Sequence, residues 1–209
     1  MEIPVVKTQG IILRKAELSD TDRLLTVYTE KFGKILVKAR GVGKKESKLK
    51  SFIEPFNIYE LMLAKSKNID VLANSYPVKE FLNLRSNLES LALAFYFTEL
   101  VDKLIPAPEQ DINIWQLLER AMEVVNKNSK SPPAPLSQRG GLLPLKKGGW
   151  EGFDKLKEAF EERLLGYLGH PTSVVRGKST EREKQNYFSS LAGEEINSIR
   201  FLRSLSLIN

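Results

Sequence analysis

The chain has 209 residues, of which 42% are hydrophobic, and its formal net charge is +6. This apolar content excludes a wholly disordered chain, and the length allows one large or two modest domains. The absence of cysteine excludes disulfides and thiolate metal sites and fits a reducing compartment. No stretch approaches the roughly 20 apolar residues of a membrane span, and the N-terminus lacks the pattern of a signal peptide. We therefore expect a cytoplasmic protein.

The positive charge is concentrated in the first 80 residues. Residues 1–80 contain 15 Lys and Arg against 10 Asp and Glu, whereas residues 81–209 contain 17 against 16. The net charges are therefore +5 and +1. Such an asymmetry indicates a polyanionic partner for the N-terminal part but says nothing about the fold.

Five stretches of the N-terminal part have the composition of β-strands. They are residues 5–15, 23–29, 34–40, 55–64 and 69–76. Gly10, inside the first stretch, indicates a bulge or a bend. Five strands joined mostly by short turns favour a small, closed or partly closed barrel. Because the fourth stretch is apolar on both faces, we expect the following domain to cover one of them.

After Pro77 the spacing of apolar residues becomes helical. We predict helices over residues 84–105, 153–168 and 194–205, and a further helix that Asp111 caps. The predicted fold class is therefore α+β, with a barrel domain at residues 1–80 and an all-helical domain at residues 81–209. The Pro- and Gly-rich segment at about 128–151 is interpreted as a flexible insertion, or alternatively as a basic tether for nucleic acid.

Basic residues are dense in the third strand and in the loop that follows it. Because strand side chains alternate between faces, Ile35, Val37 and Ala39 are expected to point into the core and the cations away from it. Proteins that bind single-stranded nucleic acid combine a cationic groove with aromatic side chains on which bases stack. The candidate contacts are Lys34, Lys38, Arg40, Lys44, Lys45, Lys48, Lys50, Phe32 and Phe52.

Two other interpretations of this stretch stay open, a plain solvated loop and a membrane-adhering surface. Tyr28, Phe56 and Tyr59 are further candidate stacking platforms, although aromatic residues in strands more often belong to the core.

The sequence offers no catalytic constellation. His170 is the only histidine, so neither a His–Cys pair nor an ordinary zinc site can be assembled. Residues 41–45 (GVGKK) lack the first glycine, the Ser or Thr and the following helix of a phosphate loop. We expect neither an enzyme nor a bound metal or other cofactor. Asp20 and Asp22 are interpreted as turn residues. Glu161 and Glu162 are interpreted as part of a solvated helix face.

Between residues 10 and 63 the chain resembles the RecO family of recombination mediators. The matching motifs are GIILR (10–14), TDRLL (21–25), FGK (32–34), a basic run opened by Ala-Arg-Gly (39–50), and PF (55–56). Helical segments 91–105 and 160–169 are also similar, and the resemblance extends over residues 3–127 and 153–170.

The resemblance implies an N-terminal OB-fold followed by a helical domain. It implies a non-enzymatic, nucleoid-associated protein that binds single- and double-stranded DNA and anneals complementary strands. It also implies that RecR and the single-stranded DNA-binding protein SSB are partners, so that RecA is loaded on the coated DNA. By position, it assigns DNA contacts to Arg40, Lys44, Lys45, Lys48 and Lys50. An RNA-binding OB module and a protein-interaction adaptor stay open as alternatives.

The chain departs from the family pattern after the Leu-Leu-Gly helix. Many members carry a four-cysteine zinc motif there, whereas residues 172–188 are short, polar and free of cysteine. We therefore expect no zinc and an abbreviated helical domain. The insertion at about 128–151 is not expected of the family either.

Overall fold

The computed structural model describes residues 4–129, 150–176 and 180–205. Its five strands are β1 (Val5–Glu17), β2 (Arg23–Thr29), β3 (Gly33–Ala39), β4 (Ile58–Ala64) and β5 (Asp70–Lys79). They form a closed barrel in the order β1-β2-β3-β5-β4. β3 and β5 pair in parallel, and the other neighbours pair antiparallel. This confirms the predicted OB-fold barrel.

Gly10 lies where β1 pairs with both β2 and β4. A Cβ atom at this position would lie 2.8 Å from the side chains of Leu61 and Val27, so only glycine fits between the two neighbouring strands. The register of β1 against β2 then shifts between Ile12 and Arg14. Of the two possibilities expected at Gly10, a bulge is therefore found shortly after it, and β1 pairs with β4 before the bulge and with β2 on both sides of it.

Inward-facing apolar residues of all five strands fill the barrel. Val37 and Ala39 of β3 are fully buried there, as the alternation predicts, and Ile35 packs against them at the margin. The buried residues of this core are Ile12, Leu25, Val27, Val37, Ala39, Val42, Ile53, Tyr59, Leu61, Leu63 and Leu72.

The helices follow the barrel in the chain. They are α1 (Leu88–Leu104), α2 (Ile112–Asn128), α3 (Trp150–Tyr167), α4 (Ser173–Arg176), α5 (Glu181–Ala192) and α6 (Ser198–Ser204), with 3-10 helices at Lys48–Phe52 and Leu82–Arg85. Asn87 caps α1 and Asp111 caps α2 by accepting backbone N–H bonds, so the expected cap at Asp111 is confirmed.

Two predicted helix boundaries were wrong. The helix predicted over residues 84–105 begins only at Leu88, because a 3-10 turn and the Asn87 cap precede it. The helix predicted over residues 194–205 is confined to Ser198–Ser204. Most of the insertion predicted at about 128–151 lies outside the described residues.

A second core joins the barrel to the helices. This core contains four residues from the outer face of β1, β2 and β4, together with residues of α1, α2, α3, α5 and α6. The four barrel residues are Ile11, Leu13, Tyr28 and Ile58. The expectation that the helical part covers one face of the fourth strand is therefore confirmed. Because one continuous core crosses the junction, the barrel and the helices are packed as a unit.

The polar segment at residues 172–188 contains α4 and the first part of α5, neither of which the sequence predicted. Thr180 and Glu183 form a capping box at the start of α5. Lys157 of α3 lies 2.7 Å from Glu181 of α5, and Lys184 of α5 lies 2.9 Å from Glu158 of α3. Ion pairs thus add to the apolar packing that holds this segment.

Glu161 is fully buried, so the interpretation of Glu161 as part of a solvated face was wrong. Its Oε1 atom accepts a hydrogen bond from the Tyr96 hydroxyl at 2.5 Å and lies 2.7 Å from the Lys157 ammonium. Burial raises the pKa of Glu161, and the Lys157 charge opposes that effect. Within the described ranges, no helix is long and apolar enough to span a membrane.

Candidate nucleic-acid interface

The basic loop, defined as residues 40–52, connects β3 to the strand β4 through a 3-10 helix. Four of its cations are exposed and form no ion pair with any residue that the structure describes: Arg40, Lys44, Lys45 and Lys50. The only acid within the loop is Glu46, which is also exposed. The loop therefore presents one guanidinium and three ammonium groups to an anionic ligand.

The turn between β1 and β2, residues 18–22, fixes the root of the basic loop. The Gly41 N–H donates to Asp22 Oδ1 at 2.9 Å, and the Gly43 N–H donates to the Thr21 carbonyl at 2.8 Å. A Cβ atom at Gly43 would lie 2.5 Å from the Asp20 carbonyl oxygen, so the two segments are in close contact. The Gly41 N–H, followed by Lys38, lowers the pKa of Asp22.

Lys38 lies at the edge of this surface. Its ammonium group is 3.0 Å from Asp22 Oδ2, and its side chain is half-buried. Lys38 is thus already paired with an acid of the barrel.

Lys34 lies in the contact between the barrel and the helices. Its side chain is 13% exposed, and its ammonium group lies 3.9 Å from Asp102 Oδ1 of α1 and donates to the Asp102 carbonyl. Arg14 Nε donates to the other Asp102 carboxylate oxygen at 3.0 Å. Burial lowers the pKa of Lys34, and the Asp102 charge opposes that effect. Lys34 therefore shares an acid with Arg14 and is largely shielded from solvent.

Phe32 precedes β3, whereas the basic loop follows it. The seven residues of β3 separate them by roughly 20 Å along the strand. The Phe32 ring is half-buried, and the Lys65 ammonium lies 4.9 Å from its centroid. Phe32 is therefore next to the β4–β5 turn rather than next to the basic loop.

Phe52 ends the 3-10 helix of the basic loop. Its side chain is half-buried and packs against the barrel core, and its carbonyl accepts a hydrogen bond from Ser75 Oγ at 2.7 Å. Tyr28, Phe56 and Tyr59 are buried, which excludes them as stacking platforms for a ligand. For these three residues the alternative of a core position is therefore the one that the structure supports.

Of the other predicted contacts, Lys48 contributes its backbone to the 3-10 helix. Six of the nine predicted positions thus lie in the basic loop, with Lys38 at its edge, whereas Lys34 and Phe32 lie in other surroundings. The six are Arg40, Lys44, Lys45, Lys48, Lys50 and Phe52. Among the described residues, no three His, Asp or Glu side chains lie together in a way that would hold a metal ion.

Asp22 was interpreted only as a turn residue, and its contact with the basic loop was missed. A usable signal exists in the β2–β3 hairpin, in which Thr29 pairs with Gly33 and Arg23 with Ala39. Continuing this register by one residue places position 22 opposite position 40. The register therefore predicts that Asp22 meets the start of the loop.

Comparisons with known proteins agree with this architecture. Residues 1–81 match the family model described as recombination protein O N terminal. A DNA repair protein RecO of Dehalococcoides mccartyi is 36% identical over 125 residues, which are 60% of this chain and 49% of the relative. One of Roseiflexus sp. is 34% identical over 122 residues, covering 58% of this chain and 43% of the relative.

A longer alignment exists at lower identity. The DNA repair protein RecO of Alkaliphilus metalliredigens is 26% identical over 192 residues, which are 90% of this chain and 70% of the relative. The chain thus matches about half the length of the first two relatives and more of the third.

Proposed function

We propose that this chain, which belongs to the RecO family, acts in DNA repair and recombination by binding DNA through its basic loop. The observation that carries the proposal is the set of exposed loop cations on an OB-fold barrel, which have no ion-pair partner among the residues that the structure describes. Such cations displace the counterions condensed on nucleic acid, and the released counterions drive binding without regard to base sequence.

The cations do not contribute equally. Arg40, Lys44, Lys45 and Lys50 are exposed, and we propose that they contact phosphates, with Lys48 included for its position in the same loop. Lys38 is a marginal contact because Asp22 already neutralises it. Lys34 stabilises the junction with α1, and Phe32 and Phe52 are at best peripheral stacking partners. These assignments refine the set of contacts that the sequence suggests.

Similarity to the family supports a proposal for the wider activity. The protein anneals complementary strands, since a cationic surface lowers the repulsion between two phosphate backbones. It works without catalysing a covalent reaction, together with RecR and SSB, to help load RecA on single-stranded DNA. Annealing of complementary oligonucleotides, with and without SSB, tests this part of the proposal, and an annealing rate equal to that of protein-free DNA contradicts it.

The basic loop is tested by charge removal. We expect Lys44→Ala/Lys45→Ala to weaken binding to single-stranded oligonucleotides similarly across sequences, because phosphate contacts do not depend on the bases. The slope of log K against log salt should flatten by roughly 1.4, from roughly 0.7 per lost contact. Fluorescence anisotropy between about 50 and 200 mM salt measures the slope.

A matched control removes the same charge elsewhere. Lys127 and Lys155 are exposed residues of α2 and α3 and have no ion-pair partner in the described ranges. Lys127→Ala/Lys155→Ala should leave the slope unchanged if the loop binds DNA. Equal slopes for wild type and the loop variant would refute the assignment. Tighter binding to RNA than to DNA of the same sequence would favour the RNA-binding alternative, because only RNA offers the 2′-hydroxyl.

A further inference from the structure

We infer that Asp22, although acidic and adjacent to the DNA-binding loop, is a positioning residue that strengthens DNA binding. The inference rests on the proposed function of the basic loop. Its carboxylate repels phosphates at long range, but the same carboxylate holds the start of the loop in place. The contacts around Asp22 indicate that the second effect is the larger one.

Both carboxylate oxygens of Asp22 are used. Oδ1 accepts hydrogen bonds from the Gly41 N–H at 2.9 Å and from Thr21 Oγ1 at 3.3 Å, and Oδ2 pairs with the Lys38 ammonium at 3.0 Å. The Asp22 N–H donates to Ser19 Oγ at 3.1 Å, which fixes the turn that carries it. Asp22 therefore connects the β1–β2 turn, the end of β3 and the first residue after Arg40.

Gly43 supplies a second attachment two residues further along. Its N–H donates to the Thr21 carbonyl, and its Cα lies too close to the Asp20 carbonyl for a side chain to fit. Gly41, which carries the first attachment, has a φ of +67°, a conformation that favours glycine. The backbone is thus fixed on both sides of Val42, directly before Lys44 and Lys45.

The attachments at Gly41 and Gly43 matter for affinity because a loop that is mobile in the free protein must become ordered when it binds DNA. A loop released at Gly41 would lose conformational entropy on binding DNA, which weakens affinity. The direct electrostatic gain is small, because removing one charge about 10 Å from a phosphate changes affinity by less than about twofold at 0.1 M salt. Removing Asp22 also releases the Lys38 ammonium, which favours binding and acts in the same direction. Electrostatics and positioning therefore predict opposite signs for removal of Asp22.

The test compares two acids of the same turn. Asp20 is exposed, and its carboxylate forms no hydrogen bond or ion pair within the described residues. We expect Asp22→Ala to weaken binding to a single-stranded oligonucleotide about 3- to 10-fold, the range of one or two lost hydrogen bonds. Asp20→Ala should leave affinity unchanged or raise it by up to about twofold. Asp22→Asn keeps an acceptor for Gly41 and should fall between Asp22→Ala and wild type.

Gly43→Ala disturbs the same root without changing any charge. A methyl group there meets the Asp20 carbonyl oxygen at 2.5 Å and displaces the loop. We expect it to weaken DNA binding as Asp22→Ala does. Thermal unfolding of each variant shows whether the barrel is intact.

The rate of trypsin cleavage measures the mobility of the basic loop in the absence of DNA. Peptides ending at Arg40, Lys44 or Lys45 should form faster from Asp22→Ala and Gly43→Ala than from wild type or Asp20→Ala. Weaker binding together with faster cleavage supports the inference. Affinity of Asp22→Ala equal to or above that of Asp20→Ala overturns it, even if cleavage is faster. A wild-type chain that binds no DNA overturns the proposed function itself.

Discussion

The Tyr28 hydroxyl joins the barrel to the start of α2, and its removal tests whether the two parts are stabilised together. Tyr28 is fully buried on β2. Its hydroxyl donates to the Asp111 carbonyl at 3.2 Å and accepts from the Asp111 N–H at 3.1 Å. Tyr28→Phe removes both hydrogen bonds while it keeps the ring and its packing.

The cost follows from the groups left behind. The Asp111 carbonyl still accepts from the Trp115 N–H at 3.1 Å, so it keeps a partner. The Asp111 N–H has no alternative acceptor in the described structure, and each of the two lost, part-buried hydrogen bonds contributes about 0.5–1.5 kcal/mol. We therefore expect Tyr28→Phe to lower the free energy of unfolding by about 2 kcal/mol. For a chain of this size, that corresponds to roughly 4–8 °C in Tm.

Urea unfolding followed by circular dichroism and by tryptophan fluorescence measures this change. Trp115 lies in α2, so fluorescence reports on the helical side of the junction. If the two parts are coupled, both signals should shift to lower urea by the same amount. A shift in the circular-dichroism transition without a matching shift in the fluorescence transition would show that the barrel and the helices unfold separately.

Tyr76→Phe is the matched control. The Tyr76 side chain is 49% exposed, and its hydroxyl accepts from Asn74 Nδ2 at 2.8 Å on the barrel surface. Water replaces that bond, so we expect a change of at most about 0.5 kcal/mol. Equal changes for the two variants, or a loss below about 0.5 kcal/mol for Tyr28→Phe, would refute the role of the junction.

Two further variants test the helical part. Phe97 stacks on Phe160 with ring centroids 4.1 Å apart, and both rings are buried. Because Phe97→Ala leaves a cavity in this core, it should lower the free energy of unfolding in urea by about 3–5 kcal/mol. Burial raises the pKa of Glu99, but hydrogen bonds from Ser198 and from the Asn197 N–H outweigh this effect and hold the pKa below its ordinary value. A carboxyl whose pKa is lowered by folding stabilises the folded state at pH values above its pKa in the unfolded chain. Glu99→Gln should therefore lower the free energy of unfolding by about 1–2 kcal/mol at neutral pH. That difference should vanish as pH falls through the folded pKa, and a constant difference would contradict this account.

The strands and long helices were predictable because their apolar periods are strong. β2 has the predicted bounds, and α2 begins where Asp111 caps it. α5 was missed because most of its residues are polar. Lys157 and Lys184 hold it partly through ion pairs, and ion pairs do not produce a regular spacing of apolar residues in the sequence. The capping box at Thr180 is the local signal that would have revealed it.

The candidate site was only partly predictable, for a different reason. Alternation along β3 predicts which side chains leave the barrel core, but not what covers the outer face. Lys34 and Tyr28 both point outward, and distant residues of the helical part meet them there, namely Asp102 and Asp111. A contact between residues 68 or 83 positions apart leaves no trace in local sequence.

The outer face of β3 thus changes from one end to the other. Lys34 is covered by α1, Leu36 is 44% exposed, and Lys38 is paired with Asp22. Arg40, just after β3, is exposed and has no ion-pair partner in the described part of the chain. The number of basic side chains in the sequence therefore exceeds the number that are exposed without a paired acid among the described residues. Seven cations would give a salt slope of roughly 5 for single-stranded DNA, whereas the five loop cations give roughly 3.5. A measured slope near the larger value would require cations outside the basic loop, and one near the smaller value would agree with the coverage of Lys34 and the pairing of Lys38.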